Sequence, residues 1–398
     1  MNIPRHMAKP LKLAALHYPV ITLTGPRQSG KTTLVKATFP NAGYVSLEAL
    51  DQRAFATEDP RGFLHQFKGP VILDEVQRTP NLFSYIQGIV DESPENGRFI
   101  LTGSQNFVLL NKISQSLAGR CAVLHLLPLT LAEVTGREAV MAGSLGKIST
   151  KVPQASGKLF ETLHQGFYPR VHHAQADAGD WLANYTRTYI ERDVREVLNI
   201  GDTDAFFLFL RLCAGRAGQL LNLTSLAADC GISHTTARRW LSLLEAGFIA
   251  FQLRPYHRNY NRRLTKSPKL YFYDSGLLCY LLRIRSAENL ATHASRGAVF
   301  ENFVVAELIK NCFNSGGEPD LYFWRDSTGH EVDVLVETDD IPLPLEVKSS
   351  ETIATDFLDG LNFWRQLAGS PKAPAALVYG GDASYMRSGV AVHSWRDL

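Results

Sequence analysis

Five short apolar runs, Ile21–Thr24, Tyr44–Leu47, Val71–Leu73, Phe99–Leu101 and Ala122–Leu127, punctuate the first third of the chain and alternate with stretches of helical spacing. Strands alternating with helices predict a mostly parallel sheet covered on both faces, with ligands collecting at the carboxyl ends of its strands. Further on, Trp181–Val197 carries a helical pattern. Leu223–Leu241 then reads as a helix, a tight turn at Gly231 and a second helix capped by Ser233, and Leu243–Ile249 leads into a strand. The last third offers a helix around Val299–Leu308, strands at Leu321–Arg325, Glu331–Val336 and Leu343–Lys348, and two more candidates, Ala375–Tyr379 and Gly389–His393.

A chain of 398 residues is too long for one ordinary core and predicts two or three domains. A net charge of +2 excludes a surface that coats polyanions as a whole, so any nucleic-acid contact must come from local clusters. Cys121, Cys213, Cys230, Cys279 and Cys312 are scattered and without a C-x-x-C pair, which suits reduced, mostly buried thiols in a cytoplasmic protein. Met1–Tyr18 has the basic residues and apolar patch of a secretion signal, but Lys12, His17 and Pro19 interrupt it as it runs into the first strand. The longest uncharged apolar stretch, Cys121–Ala132, is too short to span a bilayer, so no membrane partner is expected.

The first strand runs into Gly25-Pro26-Arg27-Gln28-Ser29-Gly30-Lys31-Thr32-Thr33, the spacing G-x-x-x-x-G-K-T of a phosphate-binding loop. Backbone N–H groups there can curl around phosphate oxygens at a helix N-terminus, with Lys31 reaching the β and γ phosphates and Thr32 offering its hydroxyl to Mg²⁺. ATP and Mg²⁺ are the cofactors this predicts. The third run ends in Asp74-Glu75, placing Asp74 for the metal and Glu75 for the attacking water. The fourth ends in Thr102-Gly103-Ser104, so Ser104, or else Thr102, can touch the γ phosphate or that water.

The stretches GPRQSGKTT, VILDEVQ, RFILTGSQ and SLAGR resemble the AAA+ ATPase superfamily, in particular a prokaryotic branch that carries a C-terminal nuclease-like region. The resemblance implies that Arg120 is a finger reaching the γ phosphate of a neighbouring subunit, and hence a homo-oligomer, with a ring as one arrangement. Capping of the preceding helix is the alternative for Arg120. Gly166-Phe167-Tyr168-Pro169-Arg170 resembles a turn of the same branch, and Arg187 and Arg192 are candidate lid arginines, unless they lie on a solvated helix face. His172-His173 has no acidic or cysteine partner at ligand spacing and reads as a surface loop.

Leu223–Ile249 resembles a winged helix-turn-helix, which puts His234, Thr235, Arg238 and Arg239 on or near a recognition helix. The following segment, Arg254 to Lys269, is rich in cations and tyrosines and holds no acid. Its Arg254, Arg258, Arg262, Arg263 and Lys266 suit phosphate neutralisation. DNA is the expected partner, against the alternative of a protein-docking module.

Along a strand Glu346 and Lys348 emerge on one face. Glu301, Asp333 and Glu346-x-Lys348 together resemble the PD-(D/E)XK nuclease superfamily. That resemblance implies Mg²⁺ held by Asp333 and Glu346, completed by Glu301, with Lys348 orienting the water. Many relatives of such a fold bind without cutting, so cleavage stays open. The expected class is α/β: an AAA+ nucleotide-binding domain (1–135), a helical lid or linker (136–204), a winged helix with a basic wing (205–275) and a nuclease-like domain (276–398). The expected function is an Mg-dependent ATPase coupled to a DNA-binding, DNA-cutting or merely binding, module. Its rival is a regulatory ATP switch that acts on a protein partner.

Overall fold

Strand β1 (Val20–Thr24) lies at the heart of a five-stranded parallel sheet with β2 (Gly43–Ser46), β3 (Val71–Asp74), β4 (Phe99–Gly103) and β5 (Cys121–His125) in the order β2-β3-β4-β1-β5. The computed structural model describes residues 3–104, 115–148, 157–173, 177–189, 203–256 and 266–398. Strands β1, β3 and β4 are buried along their whole length, which is why they read as unbroken apolar runs. Their side chains alternate between two cores. Val71, Leu73, Phe99 and Leu101 face one with Phe63 and Phe83, while Ile21, Leu23, Ile72 and Ile100 face the other with Leu34 and Val35. The register pairs Thr24 with Gly103 and with His125, so the turns after β1 and β4 emerge together, with Asp74 at the end of neighbouring β3.

Helices at Leu159–Gln165, Pro169–His173 and Ala178–Tyr189 follow, then Thr203–Ala214. Helices Leu223–Asp229 and His234–Ala246 meet at a turn where Gly231 takes φ 67°, a left-handed conformation that glycine adopts without steric cost. The Ser233 side chain accepts the Thr236 N–H, the expected cap. Strands β6 (Ala250–Pro255) and β7 (Lys269–Phe272) pair antiparallel.

The long helix Arg296–Asn314 leads into a meander of β8 (Leu321–Arg325), β9 (Glu331–Val336) and β10 (Leu343–Lys348), with bounds as the sequence predicts. Helix Asp359–Leu367 crosses over to β11 (Ala376–Tyr379), parallel to β10, and β12 (Tyr385–Arg387) and β13 (Val390–Ser394) complete the sheet.

Strand β6 also pairs parallel with β8, through Arg254–Tyr322 and Pro255–Phe323. One eight-stranded sheet, β12-β13-β11-β10-β9-β8-β6-β7, therefore runs across the boundary expected near 275, and one hydrophobic core reaches from Leu127 to Leu398. Backbone pairing is invisible to the compositional cues that suggested a division there. The five cysteines are free, with Cys213, Cys230 and Cys279 buried. Among the described residues no helix is long and apolar enough to cross a membrane.

Candidate functional site

The turn after β1 is closed so tightly that a Cβ on Gly25 would fall 2.1 Å from the Leu126 carbonyl oxygen. Only glycine fits there. Gln28 and Gly30 both take positive φ, and Gly30 opens the helix Lys31–Thr38. The buried Lys31 ammonium donates to the Gly25 carbonyl at 2.9 Å and the Pro26 carbonyl at 2.8 Å, lying across the concave face of the loop.

The loop is braced from outside by Arg5, a residue that no motif in the sequence singles out. Its guanidinium donates to the Ser29 and Leu127 carbonyls, each at 2.7 Å, and to Glu133 at 3.0 Å. Glu133 closes a capping box with Thr130, the one readable signal in this group. Charge-assisted bonds of this kind contribute about 1.5–3 kcal/mol each, so Arg5→Ala is expected to weaken nucleotide binding by roughly tenfold. A fluorescent-nucleotide titration checks this, and unchanged affinity would remove Arg5 from the site.

Asp74 accepts hydrogen bonds from Thr32 Oγ1 and Tyr44 OH, both at 2.9 Å, and from Thr102 Oγ1. Burial, followed by the charge of Asp74, pushes the Tyr44 phenol up to about 12. Glu75 sits at φ 57°, an unusual conformation for a non-glycine residue, with Gln77 Nε2 donating to it and Ser104 Oγ donating at 3.3 Å. The two candidate hydroxyls are thus divided: Thr102 serves Asp74, and Ser104 serves Glu75.

A cavity of about 640 Å³ opens over the loop, lined by Lys31, Thr32 and Glu75 on one side. The other side comes from the helices that follow the sheet, as Arg170, His173, Tyr185 and Thr188. Arg187 is exposed and does not line this cavity, and Arg192 lies outside the described residues. The arginine facing the loop is Arg170, brought there by the short helix Pro169–His173. The expected His172-His173 surface loop is that helix. His172 bonds the Gly166 carbonyl at 2.8 Å, burial pushing it below the ordinary histidine range, and His173 faces the cavity.

Arg120 forks onto Asp91, with Nη2 to Oδ2 at 3.1 Å, and donates to the Ala118 carbonyl at 3.2 Å. It precedes β5, at the end of the sheet away from the phosphate loop.

A second polar cluster lies in the eight-stranded sheet. Lys348 Nζ stands 2.7 Å from Glu346 and 3.6 Å from Asp333, and the three residues line a cavity of about 450 Å³. Asp333 also accepts the Val347 N–H at 2.9 Å. Burial and then Asp333 hold the Glu346 carboxyl well above its usual range, while Lys348 and Lys269 outweigh burial at Asp333 and hold that carboxyl down. Glu301 lies near this pair, burial and then the charge of Asp333 holding its carboxyl above the usual range. It accepts from Tyr271 OH at 2.6 Å and from Lys269 at 3.2 Å, both on β7. Among the described residues no group of three His, Cys, Asp or Glu side chains is placed to hold a metal ion.

Arg238 and Arg239 are exposed on the helix His234–Ala246, as are His234 and Thr235. Arg254 and Lys266 border a cavity whose far wall carries Glu337, Asp339 and Asp340, acids the sequence reading did not connect with them. Arg258, Arg262 and Arg263 lie outside the described residues.

The parallel sheet, the glycine-bounded loop and the Asp74–Thr32 pair define a P-loop ATPase of the AAA class, and residues 17–135 match the family described as "AAA domain". Residues 156–288 and 296–398 match two families described as domains of unknown function, DUF8612 and DUF4143. Over 350 residues the chain is 31% identical to the uncharacterized protein Rv2008c of Mycobacterium tuberculosis, covering 87% of this chain and 74% of that one. The same figures hold for the uncharacterized protein Mb2031c of Mycobacterium bovis. The chain belongs to the family of these two proteins.

Among solved structures it is similar to the Walker-type ATPase PABY2304 of Pyrococcus abyssi, at 14% identity and a TM-score of 0.42, over 70% of this chain and 95% of that one. It is also similar to the RuvB Holliday junction branch migration motor of Thermotoga maritima, at 19% identity and a TM-score of 0.27, over 62% and 88% of the two chains. Both likenesses are too remote to bear on activity.

Proposed function

We propose that the chain is an Mg-dependent ATPase whose nucleotide state is coupled to DNA held on the helix His234–Ala246. The observation that carries this reading is the shared cavity: Arg170, His173 and Tyr185 face Lys31 and Glu75 across it, and their helices join the same core as the helix-turn-helix. A nucleotide in that cavity would bridge the sheet to the segment that leads into the proposed winged helix (205–275). The lid or linker (136–204) is the element between them.

The residues fit a magnesium nucleotide. Thr32 and Asp74 already point their oxygens at one another and would hold Mg²⁺, and the Gly25–Thr33 loop ends at a helix N-terminus. Bound there, the ion would neutralise charge on the β and γ phosphate oxygens. Lys31 would turn from the loop carbonyls to the phosphates, Glu75 would take the proton of the attacking water, and Ser104 would hold Glu75 and sense the γ phosphate. Arg120 lies roughly 13 Å of strand away from the loop of its own chain, which suits a finger offered to a neighbouring subunit. A homo-oligomer follows from that role.

The C-terminal segment (276–398) is proposed as a nuclease-like binding module. Its order of helix, three-strand meander, crossover helix and parallel strand supports that relationship, as do Glu346 and Lys348 on β10. The partners held by Glu301 favour binding over cleavage.

ATP turnover should rise several-fold with one form of DNA, the rise should fade between low and moderate salt, and Arg238→Ala/Arg239→Ala should abolish it without changing basal turnover. Turnover indifferent to single-stranded, duplex and branched DNA would favour a switch acting on a protein partner.

A further inference from the structure

The acidic cluster of the C-terminal sheet contains a cation that comes from outside the meander. Lys269 is the last residue of the basic segment and the first of β7, and only 3% of its side chain is exposed. Its ammonium pairs with Glu301 on the long helix and Glu331 on β9, while Tyr271, two residues on, donates to Glu301 at 2.6 Å. Burying a lysine is costly unless its partners return the loss, and here two carboxylates do so.

The other carboxylates are engaged too, each through at least one oxygen. Asp333 takes the Val347 N–H and faces Lys348, Glu346 takes Lys348, and Glu331 takes Arg325 at 3.2 Å. Four carboxyl groups, those of Glu301, Glu331, Asp333 and Glu346, stand against Lys269, Lys348 and Arg325, which leaves at most a single negative charge. A divalent ion wants several free carboxylate oxygens and enough local charge to offset its own. The charge is not present while Lys269 is in place. In charge, the metal shell that the resemblance implies does not fit these residues.

We infer that Lys269 is the resident counter-ion of this cluster, a latch by which the β6–β7 hairpin holds Glu301 and shuts divalent cations out of the C-terminal cavity. The hairpin and the cavity then form one unit: whatever shifts β7 changes the charge on the acids. Nothing in the latch depends on whether the basic segment binds DNA.

The test is Mn²⁺ binding to the full chain without nucleotide, followed by the electron paramagnetic resonance signal of the free ion. Asp74→Asn is included throughout to silence the phosphate-loop site. With Lys269 in place, adding Asp333→Asn should leave the Mn²⁺ isotherm unchanged. Lys269→Met should create roughly one new site per chain, lost again with Asp333→Asn, and Lys269→Arg should create none. An isotherm that weakens with Asp333→Asn while Lys269 is present would overturn the latch. So would a Lys269→Met protein that keeps its circular dichroism spectrum and gains no site. The first comparison can overturn the latch even if Lys269→Met fails to fold.

Discussion

Glu75→Gln is expected to reduce ATP turnover by about 10²–10⁴-fold while leaving ATP binding nearly intact, the loss typical of removing a general base. Glutamine keeps the size of the side chain and an oxygen that can accept from Gln77 and Ser104, so the φ 57° backbone need not rearrange. What disappears is the basic carboxylate. Phosphate release under single-turnover conditions, read beside a nucleotide titration, separates the two effects. Lys31→Ala should behave differently and lose binding as well, because its ammonium is the one placed inside the loop. Turnover within a few-fold of the parent in Glu75→Gln would assign the base to another residue.

Lys310→Met is expected to lower the apparent stability by about 3–5 kcal/mol, the cost of leaving a buried charge without its partner. Lys310 and Glu307 are both essentially inaccessible and pair with each other on the helix Arg296–Asn314. Lys310 also donates to the Leu129 carbonyl at 2.8 Å and lies 4.4 Å from the centre of the Phe167 ring, and Glu307 accepts the Leu131 N–H at 2.7 Å. The pair therefore fastens the chain leaving β5 to the C-terminal helix. The double variant Glu307→Leu/Lys310→Met should recover only part of the loss, since the Leu131 N–H and Leu129 carbonyl would stay unsatisfied. Urea unfolding followed by circular dichroism measures both, and a change below about 1 kcal/mol for the single variant would show that the charge finds solvent.

The nucleotide site was legible because its parts are local. Strands buried on both faces must be continuously apolar, and a phosphate loop must place its glycines at fixed spacing, so β1, the Gly25–Thr33 loop and Asp74-Glu75 stand out in the sequence. The meander at 321–348 was legible for the same reason. What escaped arrives from far along the chain. Arg5 meets Glu133 across 128 positions, and Lys269 meets Glu301 across 32, with no periodicity to announce either contact. Arg170 and His173 escaped because a five-residue helix carries too little pattern, whereas the longer helical pattern points to Arg187, which is exposed and does not line the cavity. The sharing of one sheet by β6 and β8 was hidden because two paired residues leave no compositional mark.

That shared sheet governs how the molecule can be taken apart. A recombinant fragment starting at 276 would strip β6 from β8 and leave Tyr322 and Phe323 on a bare sheet edge, a template for aggregation. It would also leave Glu301 without Lys269 and Tyr271. A soluble, faithful C-terminal piece must therefore begin ahead of β6, and since the helix-turn-helix packs into the same core, the natural unit of purification carries it as well.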